Sequence, residues 1–205
     1  MLNIMRNIAM TLFKQDKTKS ASMATRKSNE LMAHSYSHLY DLPKTDLRFF
    51  TVYGPWGRLD MAPYLFTDAI LNDREIKVFN HGKMKRDFTF IDDIVEGIIR
   101  IRNVVPLRNA ENPNTSPSSS KAPYKGFKIG NNEPIALMTF IDAIEKAAGK
   151  EAKKNYMPMQ AGDVPATFAD IDSLTAEVGF KPDTNIEYGM RKVIDWFEGT
   201  HKQLK

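Results

Sequence analysis

With 205 residues, 42% of them apolar and 26% charged, the chain has material for one domain, or one and a half, around a buried core. It has no cysteine, which excludes disulfides, thiol catalysis and cysteine-ligated metals; 29 basic against 25 acidic residues leave a net charge of +4, too small and too evenly spread to mark a nucleic-acid surface. No apolar run approaches the ~20 residues of a membrane span.

Residues 1–13 interleave Asn3, Arg6 and Asn7 with apolar side chains. That pattern fits a short amphipathic helix or a ragged end better than a secretory signal, and places the chain in the cytoplasm. Residues 14–22 are polar and charged, a linker. Leu31, Ala33, His34, Leu39 and Tyr40 then predict a helix over 25–40, closed by Pro43. Leu47 to Tyr53 is apolar, aromatic and β-branched and ends in Gly54-Pro55, a buried strand running into a loop. A helix is expected around 63–71, a strand over 76–79, a turn at Asn80-His81-Gly82 and a strand over 88–91. Asp92 is placed to cap a helix from 94 to about 102. Residues 106–123 hold four prolines among Asn, Ser and Thr, a flexible loop. A strand over 124–129, a turn at 130–132 and a helix over 137–148 ending at Gly149 follow. Strand 153–157, a short helix near 173–178 and a helix over 186–197 complete the chain. Helix alternating with strand is the signature of an α/β protein.

Several residues bear on chemistry. Arg86-Asp87 stands between a turn and a strand, and a guanidinium gives two parallel hydrogen bonds to phosphate oxygens. The plainer alternative pairs Arg86 with Asp87 or Asp93 on a solvated face. In Gln160-Ala161-Gly162-Asp163 the glycine suits a close backbone approach and Asp163 can accept from a ribose or base, although Gly-Asp is also an ordinary turn. Thr51 and Arg58 bracket a loop at a strand's carboxyl end, where α/β sheets bind ligands, and together suit a sugar carboxylate. An exposed arginine after a loop explains Arg58 equally well. His34 and His38 have the i, i+4 spacing of a metal pair but no companion ligand, and a packing role is preferred; no metal site is assigned.

Taken in order, these strings resemble one family over some four-fifths of the chain: Thr25-Arg-Lys-Ser-Asn-Glu-Leu-Met-Ala-His34, Leu47-Arg-Phe-Phe-Thr-Val-Tyr-Gly-Pro-Trp-Gly-Arg58, Gly82-Lys-Met-Lys-Arg-Asp-Phe-Thr-Phe-Ile-Asp-Asp93, Ile129-Gly-Asn-Asn132 and Met159-Gln-Ala-Gly-Asp163. The resemblance is to NAD-dependent nucleotide-sugar epimerases of the extended short-chain dehydrogenase/reductase type, most of all the UDP-glucuronate 4-epimerases. It implies hydride abstraction by NAD at the sugar's 4-position, with a Tyr phenolate taking the hydroxyl proton, and hydride return to the opposite face. It matches Arg86 to the diphosphate-binding Arg and Asp163, beside Gln160, to the uridine-contacting acid. Met61 and Ala62 fall where backbone amides approach the nucleotide, and Thr51 and Arg58 where a uronate is met. Phe50, Val52 and Tyr53 would line the nicotinamide pocket. UDP-sugar and NAD are the implied ligands, and a homodimer or pairing with a full-length epimerase the implied assembly.

This chain also departs from the family. Where the family reads Tyr-Ala-Ala-Thr-Lys-Lys, it reads Ser22-Met-Ala-Thr-Arg-Lys27. Ungapped, Ser22 replaces the Tyr and Arg26 the Lys; with two residues deleted before Ala24, the Tyr is gone altogether. A serine hydroxyl is too weakly acidic to replace a tuned phenol without its own base, and Arg cannot be deprotonated. Leu59 and Pro63 differ from the usual substrate-loop residues. The Gly-x-x-Gly-x-x-Gly turn that seats a pyrophosphate is not among the residues. The expectation is therefore α/β, a C-terminal remnant of a Rossmann-type sheet (helix plus strand) joined to a small α/β substrate-binding domain. Residues 1–22 would be an irregular N-terminal segment, 23–56 the Rossmann remnant and 57–205 the sugar-nucleotide-binding domain with its loop at 106–123. The resemblance implies a truncated epimerase, expected to be inactive alone; the alternative is a non-catalytic UDP-sugar-binding or epimerase-partner module.

Overall fold

The computed structural model describes residues 21–108, 120–160 and 163–199. The expectations for residues 1–13, most of the 14–22 linker, the centre of the 106–123 loop and Gly162 lie outside these. In chain order the elements are α1 (Ala21–Tyr40), β1 (Lys44–Phe49), β2 (Thr51–Tyr53), α2 (Ala62–Leu71), β3 (Glu75–Val78), β4 (Lys85–Phe90), α3 (Ile91–Ile101), β5 (Tyr124–Ile129), β6 (Pro134–Ala136), α4 (Leu137–Ala148), β7 (Lys153–Tyr156), α5 (Asp172–Val178) and α6 (Ile186–Gly199). The fold is α/β. Strand β2 runs parallel to β4, with Thr51 opposite Phe88 and Tyr53 opposite Phe90; β3 runs parallel to β7; and β6 adds antiparallel to the far edge of β4.

The chain forms two compact units, one within 1–46 and 105–126, the other within 47–104 and 127–205. In the first, α1 ends at Tyr40 because Asp41 takes a left-handed φ of 55°, three residues before the expected stop at Pro43 acts. Arg108 Nε donates to Asp41 at 2.7 Å, and the Lys44 N–H donates to the Pro123 carbonyl at 2.9 Å. Met32, Tyr36, Leu39 and Tyr40 stay exposed along one side of α1. His34 is half-buried, its ring edge-on to Tyr124 at 5.2 Å and stacked with His38 at 6.5 Å. Burial first, and the charge of His38 second, hold His34 below the ordinary histidine range. A depressed folded-state pKa means stability that is present above the unfolded value near ~6.5 and lost as pH falls through the folded one. Thermal unfolding of the chain is thus expected to occur at lower temperature at about pH 5 than at about pH 7.5, and His34→Gln should flatten part of that dependence. An unchanged pH slope in His34→Gln would sink the assignment.

In the second unit, apolar residues at helical spacing do the packing. Leu137, Phe140, Ile141 and Ile144 share one face of α4, and Ile186, Met190, Val193, Ile194 and Phe197 one face of α6; all are buried. The two helices pack together over the β2–β4–β6 sheet, where the Phe88 and Phe140 rings stack at 4.1 Å. A second cluster, Ile94, Ile101, Phe127, Ile129 and Leu174, joins α3, β5 and α5. Gly149 closes α4 in a left-handed C-cap at φ 63°, as its position after the periodic residues implies.

Four expectations need correction. The run 47–53 is two strands in different sheets, broken at Phe50, and β1 is only half-buried. Strand β4 begins at Lys85, so Arg86 lies inside it rather than before it. Helix α3 begins at Ile91, which puts Asp92 in its first turn with no side-chain cap bond; its carboxylate is left near the positive end of the helix dipole. Strand β6 was not foreseen, three residues opening on a proline being too short a signal.

Candidate functional site

Strand β4 is the middle strand of its sheet, and its register decides which side chains leave it. Asp87, Phe88, Thr89 and Phe90 are all buried, while Arg86 is half-buried at the strand's start. The Arg86 guanidinium does not pair with Asp87 or Asp93. Its Nη2 donates to Asp163 Oδ1 at 2.7 Å and its Nη1 to the Lys85 carbonyl at 2.9 Å. Two residues 77 positions apart, both singled out in the sequence, thus come into direct contact. Asp163 Oδ1 also accepts from the Val164 N–H at 2.8 Å, and the Asp163 N–H donates to the carbonyl of Gln160, which is exposed.

Asp87 does something the sequence does not announce. Fully buried, its Oδ1 accepts from the Asn131 N–H at 2.8 Å, and its Oδ2 from the N–H groups of Asn132 at 3.1 Å and Ala169 at 2.9 Å. Thr89 Oγ1 lies 3.4 Å from Oδ1. One carboxylate therefore ties the bend after β5 and the 163–171 segment to β4. Gly130 is required beside it, since a Cβ there would come within 2.4 Å of the Ala169 Cβ. The partners of Asp87 are backbone amides of those two segments, not Arg86. Asp93 has a comparable task, its Oδ2 accepting from the Thr184 N–H at 3.1 Å.

The second group of expected residues lies at the carboxyl end of β2. Val52, Tyr53, Gly54, Arg58, Met61 and Trp196 line a cavity of about 20 Å³, room for roughly one water. Arg58 is exposed and closes on Asp60 through two bonds, Nε to Oδ1 at 3.0 Å and Nη2 to Oδ2 at 2.6 Å. That hydrogen-bonded pair keeps Arg58 above its ordinary value and Asp60 below its own. Asp60, two positions after Arg58, was legible as a partner and was missed. Met61 precedes α2, which Ala62 opens with Pro63 in its first turn and no side-chain cap. Thr51 starts β2, at the opposite end of that three-residue strand from the Arg58 loop. Phe50 is half-buried between the strands. Tyr53 is 2% exposed among Phe88 and Phe90, and its Oη has no hydrogen-bond partner. Burial first, and the nearby Asp93 charge second, push its phenol far up, so it stays protonated at any working pH.

Ser22 and Arg26 fall four residues apart on α1, and Arg26 is exposed. The spacing Tyr-x-x-x-Lys does occur elsewhere, at Tyr40/Lys44, Tyr124/Lys128 and Tyr188/Lys192. Tyr40 ends a helix and Lys44 begins a strand; Tyr124 and Lys128 sit on strand β5. On α6, Lys192 Nζ lies over the Tyr188 ring, 5.4 Å from its centre. In that pair the cation meets the ring face rather than the phenol oxygen. Among the described residues no cluster of three or more His, Asp or Glu has metal-site geometry.

A model of the NAD dependent epimerase/dehydratase family matches residues 8–109. The chain belongs to that family. It is 55% identical over 190 residues to Protein CapI of Staphylococcus aureus, covering 92% of this chain and 57% of that one. It is 48% identical to a probable UDP-glucuronate 4-epimerase of Rhizobium meliloti, covering 92% and 56%. Among solved structures, the UDP-glucuronic acid 4-epimerase of Bacillus cereus in complex with UDP-glucuronic acid and NAD superposes with a TM-score of 0.74 at 29% identity, over 89% of this chain and 52% of that one. The chain spans a little over half the length of these relatives.

Proposed function

We propose that this chain carries the sugar-nucleotide-binding half of a UDP-glucuronate 4-epimerase-type site, and that by itself it binds without epimerising. The observation that carries the reading is the convergence of Arg86 and Asp163: a half-buried guanidinium on a strand, beside the acid that the resemblance matches to the uridine contact. A diphosphate needs a cationic donor held in place in this way, since an arginine that must be ordered on binding loses part of its contribution to entropy. Arg58, with Thr51 on the strand behind its loop, is the candidate for a sugar carboxylate, and its bidentate hold on Asp60 has the geometry that such a ligand would take.

NAD is the cofactor that the solved relative contains and that the family resemblance assigns. The described residues do not make a seat for it alone. Val52 and Tyr53, but not Phe50, border a cavity of about 20 Å³, far below the ~300 Å³ and more of a ligand pocket, and the glycine-rich turn is not among the residues. With Ser22 and Arg26 at the positions that the resemblance, read ungapped, gives to the proton-transferring pair and Tyr53 held protonated, we assign no described residue to taking the hydroxyl proton.

Calorimetric titration tests the proposal. UDP-glucuronate is expected to bind and NAD not to, and Arg86→Ala should weaken the sugar nucleotide by about tenfold to a hundredfold, the range for losing a charge-assisted contact. Turnover of UDP-glucuronate by the chain with added NAD, or binding indifferent to Arg86→Ala, would overturn it.

A further inference from the structure

Resting on the reading of Arg86 as a diphosphate ligand, we infer that Asp163 is an internal anion that holds this site closed, so that a diphosphate must displace a carboxylate of the chain itself. Asp163 Oδ1 takes Arg86 Nη2 at 2.7 Å with the two side chains only 34% and 16% exposed. The carboxylate does not wander into that position. The backbone after it is laced to the start of β4: the Lys85 N–H donates to the Pro165 carbonyl at 2.9 Å, the Thr167 N–H to the Lys85 carbonyl at 3.1 Å, and Lys85 bridges Ala166. Its own Oδ1 is further held by the Val164 N–H.

A carboxylate so fixed occupies the Arg86 Nη2 donor that a phosphate oxygen would otherwise take. It also places a negative charge within contact distance of where a second anion must come, and like charges at such range oppose binding. The site is consequently selective. A polyanion that gains contacts elsewhere, through its base or sugar, can displace Asp163, whereas a small anion has only Arg86 to gain. Discrimination between sugar nucleotides and free phosphates would then come partly from repulsion.

The probe that isolates this effect is inorganic pyrophosphate, which has no base or sugar for Asp163 to contact. Asp163→Asn keeps an oxygen for the Val164 N–H and removes the charge; Asp163→Ser removes it with a different shape. In the 205-residue chain, both variants are expected to bind pyrophosphate about two- to fivefold more tightly than the parent, the scale of a partly exposed ion pair. Adding Arg86→Ala should abolish the gain. Unchanged or weakened pyrophosphate binding in both variants, or no detectable binding in any of them, would overturn the inference. UDP-glucuronate, titrated in parallel, separates the two ideas. If its binding ignores Arg86→Ala, the proposed site is wrong, while a pyrophosphate gain that depends on Arg86 still stands as evidence for the internal anion.

Discussion

Asp87→Ala is expected to destabilise the chain by about 3–5 kcal/mol, the range for breaking a buried charged network. The substitution leaves the Asn131, Asn132 and Ala169 amides without their acceptor, and the Ala169 amide is buried, so water cannot replace the carboxylate there. Asp87→Asn should cost less, because its amide keeps one oxygen, but its NH₂ must face one of those N–H groups. Because the 163–171 segment hangs on this carboxylate, the Ala variant should also loosen Asp163 beside Arg86 and weaken any anion bound there. Denaturant midpoints measured for both variants check the ranking. A loss below about 1 kcal/mol in Asp87→Ala would mean that the three amides find other partners.

Periodicity made the long elements readable. The apolar stripes of α4 and α6 and the glycine after α4 are local signals, and β5 and α4 lie where the pattern placed them. Short or divided elements left no comparable trace. The break at Phe50 is set by pairing, since β1 joins β5 and β2 joins β4, and nothing local in an unbroken apolar run records which partner each half takes. The start of α3 was misplaced because Asp92 suggested a cap, whereas the helix opens at Ile91 directly after β4, and Asp93 in its first turn accepts from the Thr184 N–H. The site shows the same divide. Arg86 and Asp163 were each legible as residue types suited to a nucleotide, but their contact spans 77 positions and is a tertiary fact. Asp87, adjacent to Arg86, looked like a possible partner for it and is instead the acceptor for three backbone amides, a role that depends on chain segments far away in sequence. The family resemblance supplied the roles; the geometry decided which carboxylate stands where.

Gly189→Ala should be nearly as damaging as loss of Asp87, at about 3 kcal/mol or somewhat more. A Cβ at this position would stand 2.1 Å from Tyr53 Oη and 2.7 Å from Cε2 and Cζ of the same ring. The ring has no room to move, being 2% exposed with Phe88 and Phe90 set edge-on against it. Alanine's helix propensity, worth about 1 kcal/mol over glycine, does not offset the clash. Tyr53→Phe alone removes a buried hydroxyl that has no partner, and is expected to be neutral or stabilising by up to about 1 kcal/mol. The difference between Tyr53→Phe and the parent should stay flat below about pH 9 and widen in favour of Tyr53→Phe above about pH 10, where the unfolded chain's phenol ionises while burial first, and the Asp93 charge second, keep the folded one protonated. In the double variant the Oη contact is gone but the ring-carbon contacts remain, so only part of the Gly189→Ala loss should return. A double-mutant cycle read by denaturant unfolding measures that coupling. Strict additivity would show that α6 shifts away instead, and since α6 carries Val193 and Trp196, two walls of the cavity beside Arg58, the contact between Tyr53 and Gly189 would then be no more than one of several that seat α6 against the sheet.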